Sequence, residues 1–170
     1  LRTEPASDVT VDVVSSDTTE GVVAVSSLTF TPGNWDSSQI IFVTGVNDNI
    51  ADGNQSFTVN LSINSTSDTD YSALSPASVS VLNLDNDTAG FLLSDVSAPT
   101  TENGGTATFT VRLQSEPSSN VTISYASDDP TEGVTSGNQM TFTTTNWNAP
   151  QTVTVTGQDD GIADGDQAYR

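Results

Sequence analysis

The residues best suited to chemistry in this chain are the carboxylates of a short acidic loop that occurs twice. The sequence DDGIADGDQA at positions 159–168 recurs as NDNIADGNQS at positions 47–56. Each copy combines closely spaced Asp or Asn side chains with glycine, a composition that favours tight turns. Carboxylates, amide carbonyls and main-chain carbonyls gathered in one turn are the ligands that a hard cation prefers. The loop therefore indicates a cation site in each copy.

The first copy of the loop offers several oxygen ligands from a single turn. They are the side chains of Asn47, Asp48, Asp52 and Gln55 and the main-chain carbonyl of Ile50. Further acids are predicted to approach from other loops at the same end of the fold: Asp17, Asp85 and Asp87. Because Ca²⁺ takes about 6 to 8 oxygens, we expect one calcium ion where these groups meet. The alternative is a set of ordinary Asp-Gly turns that hold no metal.

Two glutamates, Glu20 and Glu132, stand in a TEG motif that also occurs twice. They could serve as outer ligands of the cation site. We favour a second interpretation, in which they are solvent-facing turn residues and the following glycines, Gly21 and Gly133, adopt a positive φ.

Both motifs belong to an internal repeat with an offset of 112 residues. The match runs without a gap from Leu1/Leu113 to Phe57/Tyr169 and includes the NW pairs at 34–35 and 146–147. A repeat of this length predicts tandem small domains. We place the boundary after Asp87, so that residues 1–87 hold the later strands of one repeat and residues 88–170 the earlier strands of the next. The chain then corresponds to a window within a longer array.

Apolar residues alternate with polar ones along most of the chain, as in half-buried antiparallel strands. The predicted strands cover residues 9–13, 28–31, 41–43, 57–63, 78–84, 90–94, 106–113, 121–125, 140–143 and 153–155. We therefore predict an all-β chain of tandem Ig-like antiparallel β-sandwiches, with about seven strands per repeat. A change of phase between Val81 and Leu82 predicts a bulge or a strand that changes face. Trp35 and Trp147 are expected to close the end of each core, with a sugar-stacking platform as the alternative.

The composition excludes several classes of partner and of chemistry. The chain has 22 Asp or Glu against three Arg, with no Lys or His and no Cys. Nucleic acids and anionic membranes are bound through basic residues, so neither is an expected partner. No apolar run has the length of a membrane span, so direct membrane insertion is not expected. Without an imidazole base, a thiolate or an amine nucleophile, we predict that the chain is not an enzyme.

With these features the chain resembles the Calx-β family, the Ig-like calcium-binding modules of sodium/calcium exchangers, integrin β4 and many bacterial surface proteins. The family pattern has a Glu before the second strand, an Asp after the third, a DDxxxE-type loop before the sixth and an acidic cluster after the last. The resemblance implies Ca²⁺ ligands in the second copy at Glu102, Asp129, Asp159, Asp160, Asp164 and the carbonyl of Ile162, the counterpart of Ile50. Asp85 and Asp87 fit the terminal cluster. Asn47, Asn86, Gln55 and Gln167 stand where the family has acids, which implies weak binding of one ion per repeat.

The repeats, the acidic boundary and the resemblance favour a calcium-stiffened structural module of a large extracellular adhesin, biofilm or surface-filament protein of bacterial type. We expect its partners to be neighbouring repeats of the same polypeptide, and other copies of the protein in a surface assembly. Two alternatives stay open: a calcium-sensing regulatory domain, and a carbohydrate- or matrix-binding module.

Overall fold

The computed structural model describes residues 1–64, 67–163 and 165–170. All regular secondary structure in these residues is β, and every strand pairing is antiparallel, so the predicted all-β class is confirmed. The strands are β1 (Val9–Ser15), β2 (Gly21–Val23), β3 (Ser27–Phe30), β4 (Val43–Gly45), β5 (Gln55–Ile63), β6 (Val79–Asn83), β7 (Phe91–Leu93), β8 (Thr106–Leu113), β9 (Val121–Ser124), β10 (Gly133–Thr135), β11 (Gln139–Phe142) and β12 (Gln151–Gly157).

The chain forms two compact units. Unit 1 consists of Leu1–Asp48 and Asp52–Asp85, and unit 2 consists of Asn49–Ala51 and Asn86–Arg170. Unit 1 contains a four-stranded sheet in the order β3-β1-β5-β6 and the two-stranded sheet β2-β4. Unit 2 contains a four-stranded sheet in the order β10-β12-β8-β7 and the two-stranded sheet β11-β9.

Strands that occur in both units pair in the same register at the 112-residue offset. Val9 pairs with Phe30 as Val121 pairs with Phe142. Gly21 pairs with Gly45 as Gly133 pairs with Gly157. The repeat read from the sequence is therefore a structural repeat as well.

Each unit has its own apolar core, built from the inward-facing positions of its strands. The core of unit 1 is centred on Val13, Phe57 and Val59. The core of unit 2 is formed by Val111, Leu113, Met140, Phe142 and Val153. Burying a side chain of this size stabilises a fold by about 1.5–3 kcal/mol. Trp147 packs against the core of unit 2, which confirms its predicted role there.

The repeated glycines serve a purpose other than the predicted one. Gly21 and Gly133 lie in strands β2 and β10 and are absent from the glycines with positive φ, so the predicted turn conformation is wrong. A β-carbon at Gly21 would overlap the ring of Phe57, and one at Gly133 would overlap the ring of Tyr169. The missing side chain leaves room for an aromatic ring to pack against the strand.

Two other details of the sequence interpretation are wrong. No bulge interrupts β6: its pairing with β5 runs without a break from Gln55↔Asn83 to Val59↔Val79. Leu82 faces outward, and 53% of it is exposed. Strands β2 and β10 were not predicted, because each is short and begins with glycine, a residue that is depleted in strands.

Candidate calcium site

Three carboxylates of unit 1 come together where strand ends meet. Glu20 immediately precedes β2, Asp48 follows β4 and Asp52 precedes β5. The pairing of Gly21 with Gly45 brings the start of β2 beside the end of β4, and the Val46 N–H donates to the Glu20 carbonyl at 2.9 Å. One oxygen from each of the three carboxylates lies within 4.8 Å of the others.

The spacing of these oxygens suits one calcium ion. Calcium holds its ligands at about 2.3–2.6 Å, so two oxygens on one ion can be at most about 5 Å apart. Glu20 is half-buried, while Asp48 and Asp52 are exposed. Like charges so close repel one another, and a bound cation relieves that repulsion. The chain contains no Lys and only three Arg that could do so instead. The donor set therefore fits Ca²⁺.

The end of β6 holds the acidic loop in place. The Asp85 carboxylate accepts a hydrogen bond from the Gly53 N–H at 2.7 Å, and the Asp85 N–H donates to Oδ1 of Asn54 at 3.0 Å. Gly53 has a φ of +80°, a conformation that favours glycine. Asp85 is therefore placed to fix the turn that carries Asp52.

Two other predicted ligands of the loop bind the main chain through their amide nitrogens. The Asn47 Nδ2 donates to the Asp48 carbonyl at 2.7 Å, and the Gln55 Nε2 donates to the Asp52 carbonyl at 3.1 Å. Their amides support two of the three residues that contribute carboxylates to the group, Asp48 and Asp52.

Asp17 and its counterpart Asp129 adopt a different arrangement. Oδ1 of Asp17 accepts from the Thr19 hydroxyl at 2.5 Å and from the Thr19 N–H at 2.9 Å. These bonds, the hydroxyl first, hold the pKa of the Asp17 carboxyl below its ordinary value. Thr131 lowers the pKa of Asp129 in the same way. Both acids cap their own turns, and Asp17 is not part of the three-carboxylate group of unit 1.

The remaining predicted ligands belong to unit 2, as do Ile50 and Asp87. Glu102 is exposed in a turn before β8. Asp159 accepts from the Gly161 N–H at 3.1 Å, and Asp160 accepts from the Ile162 N–H at 2.8 Å. Asp164 lies outside the described residues. The Gln158 N–H donates to the Glu132 carbonyl, as Val46 does to Glu20, so the backbone framework of the site is repeated.

The structure places Glu20 differently from the interpretation favoured by the sequence. That interpretation favoured a solvent-facing turn residue, whereas the structure brings Glu20 beside Asp48 and Asp52. The TEG motif repeats together with the acidic loop, and this joint repetition was the signal that linked the two segments.

Comparison with protein families decides the identity of the fold. The family model of the Calx-beta domain matches the chain twice, over residues 6–88 and 85–170. The chain belongs to the Calx-beta family. Comparison with curated proteins and with solved structures gave no match.

Membership confirms the resemblance seen in the sequence and the β-sandwich class. A Calx-beta domain is a calcium-related β-sandwich module, usually found in extracellular or surface-facing regions. Within the described residues, no helix is long and apolar enough to cross a membrane.

Proposed function

We propose that this Calx-beta pair is a calcium-binding structural module of an extracellular surface protein, without enzymatic activity. The observation that carries the proposal is the group formed by Glu20, Asp48 and Asp52. These residues come from three chain segments, so a single ion that binds all three cross-links the segments. The composition, with 22 acids and three Arg, supports cation binding as well.

Stabilisation is the physical role that such an ion performs. A ligand that binds only the folded state stabilises it by RT ln(1 + [L]/Kd), about 1.4 kcal/mol at a tenfold excess over Kd. Amides at Asn47 and Gln55 limit the charge of the site, so we expect a Kd of about 10⁻⁴–10⁻³ M, the range of extracellular modules. At that affinity the site is filled in a calcium-rich medium and responds little to the far lower calcium of a cell interior. This difference favours a structural module over an intracellular sensor.

Within this proposal, the module is one part of a stalk or filament in an adhesin. Its partners are neighbouring repeats of the same polypeptide and other copies in a surface assembly. The support is indirect: two repeats folded in the same register, and a strongly acidic surface that suits a soluble extracellular chain.

Calorimetry with calcium tests the proposed function. We expect saturable binding by the unmodified chain and a Kd raised at least tenfold by Asp48→Asn or Asp52→Asn, since each removes a charged ligand. The matched control is Asp36→Asn, which makes the same charge change. Asp36 follows β3, whose last residue pairs with the start of β1, whereas Glu20 follows the end of β1. Absence of calcium heat at millimolar ion, or equal losses in all three variants, would contradict the proposal.

A further inference from the structure

Asn83, the last residue of β6, lies beside the candidate calcium site and is not one of its acids. Its Nδ2 donates to Oε2 of Glu20 at 3.1 Å and to the Val46 carbonyl at 2.8 Å. Both contacts are partly buried. A side-chain amide nitrogen carries two N–H groups, so each group has its own acceptor here.

These two bonds fix Glu20 relative to the end of β4. Val46 already donates its N–H to the Glu20 carbonyl, so Asn83 adds a side-chain link to a backbone link between the same two residues. The Glu20 side chain is long and flexible, and holding it in one conformation costs rotamer entropy. A donor that holds it before the ion arrives reduces the cost of binding.

Gly45 keeps the amide of Asn83 in this position. A β-carbon at Gly45 would overlap Oδ1 of Asn83, and the amide would have to move. Gly45 pairs with Gly21 in a sheet, and its φ is not positive. Glycine is therefore needed here because there is no room for a side chain, and not because of the backbone conformation. Asn83 is therefore confined by Gly45 on one side and bound to Glu20 and Val46 on the other.

We propose that Asn83 is a positioning residue of the calcium site: its amide fixes the carboxylate of Glu20 toward Asp48 and Asp52 and binds no ion itself. The inference rests on the proposed calcium function and adds a regulating element to it. Asn83 lies two residues before Asp85, which holds the Gly53 turn. The end of β6 thus supports two of the three ligand-bearing segments, and calcium affinity depends on that strand being in place.

The first test compares calcium affinity by calorimetry in four variants. Loss of a hydrogen-bond partner of a metal ligand reduces metal affinity by about 10- to 100-fold, which is the effect we expect for Asn83→Leu. Gly45→Ala displaces the amide without removing it and should weaken binding in the same direction. The controls are Asn60→Leu, on the neighbouring strand β5, and Gly33→Ala, where an added β-carbon meets only an ordinary contact. Both controls should keep the Kd of the unmodified chain.

The second test separates positioning from a general effect on the fold. In a Glu20→Gln background, Asn83→Leu should change the Kd by much less than it does alone, because the carboxylate it positions is gone. In the calcium-free protein, NMR should show slowed exchange of the Asn83 side-chain amide protons and a shift of their signals on Glu20→Gln. A Kd of Asn83→Leu within twofold of the unmodified chain, or fully additive effects, overturns the inference alone. Absence of calcium binding by the unmodified chain overturns the proposed function and the calcium role of Asn83, while the NMR result still reports on the hydrogen bond.

Discussion

The hydrogen-bond partners of each acid determine whether its carboxylate oxygens are placed to bind a cation. Both donors of Thr19, its hydroxyl and its N–H, bind one oxygen of Asp17 and hold the carboxylate in its own turn. Glu20 lies three residues further on, accepts from Asn83 and meets Asp48 and Asp52. Asp17 is bound by its neighbour Thr19, whereas Glu20 is bound by the side-chain amide of Asn83 on the distant strand β6.

This difference explains why the residues of the site were predicted only in part. The acids of the loop were found because they repeat and because oxygen-rich turns are typical of calcium ligands. The contact between Glu20 and Asn83 joins positions 63 residues apart, and no local pattern predicts such a pair. The choice between Asp17 and Glu20 depends on side-chain hydrogen bonds that become visible only in three dimensions.

Acid should weaken unit 1 through Asp68, a carboxylate that is only 4% exposed. Its oxygens accept from the N–H groups of Asp70 and Ser7, each at 2.9 Å, and these bonds, that of Asp70 first, hold the pKa of Asp68 below its ordinary value. A lowered pKa in the folded state gives stability that is complete above the ordinary carboxyl pKa and is lost as the pH falls through the lowered one. Asp68→Asn should therefore flatten the acid side of the stability profile.

Urea unfolding at a series of pH values, from neutral to about pH 3, measures this effect without calcium. Asp70→Asn is the control, because it keeps the backbone N–H that Asp68 accepts from while changing a neighbouring charge. If the profile of Asp68→Asn kept the acid slope of the unmodified chain, the stabilising role of this carboxylate would be refuted.

At the scale of strands, the alternation of apolar and polar residues predicts the long strands. The alternation in β1, β5, β8 and β12 was sufficient to predict each of them. It failed for β2 and β10, which begin with glycine and whose place depends on pairing with β4 and β12. In β6 the apparent change of phase reflects an exposed Leu82 on a strand with unbroken pairing. A pattern of apolar residues cannot distinguish an outward leucine from a bulge.

A methyl group on strand β2 should disrupt the core of unit 1. Gly21→Ala would place a β-carbon on the ring of Phe57, which is 3% exposed and has little room to move. Overpacking of this kind costs about 1–3 kcal/mol, which urea unfolding followed by circular dichroism can measure.

Adding Phe57→Leu to Gly21→Ala should recover part of the loss, because the smaller side chain makes room for the methyl group. Gly33→Ala should change the free energy of unfolding by less than about 0.5 kcal/mol, as is usual for surface positions. Equal effects at Gly21 and Gly33 would show that the ring does not require the glycine.

At the scale of the whole chain, charge and repetition are the two dominant features. The formal charge of −19 makes the chain repel itself, and bound cations reduce that repulsion. The repeat was predictable from the sequence because its offset is constant and free of gaps. The approach of Asp85 to the acidic loop was also expected from the sequence. The bond that joins them, from the Gly53 N–H to the Asp85 carboxylate 32 residues later, follows no local pattern and was not predicted.

The last prediction concerns the segment where unit 1 passes into unit 2, between Asp85 and Asn86. Asp85 is held by Gly53 and Asn54, next to Asp52, a proposed calcium ligand. A bound ion orders this turn and, through it, the end of β6, so removing calcium should increase local opening there.

Chymotrypsin can report the change, because Leu84 and Phe91 flank the segment and are 69% and 55% exposed. With chelator, cleavage after these two residues should accelerate, whereas cleavage after Phe142, which is 0% exposed, should not. Asp85→Asn weakens the tie to Gly53 and should be cut rapidly with or without calcium, and a peptide substrate added to each reaction controls for the protease itself. If chelator left the cleavage rates after Leu84 and Phe91 unchanged, the ion would not control the order of this segment.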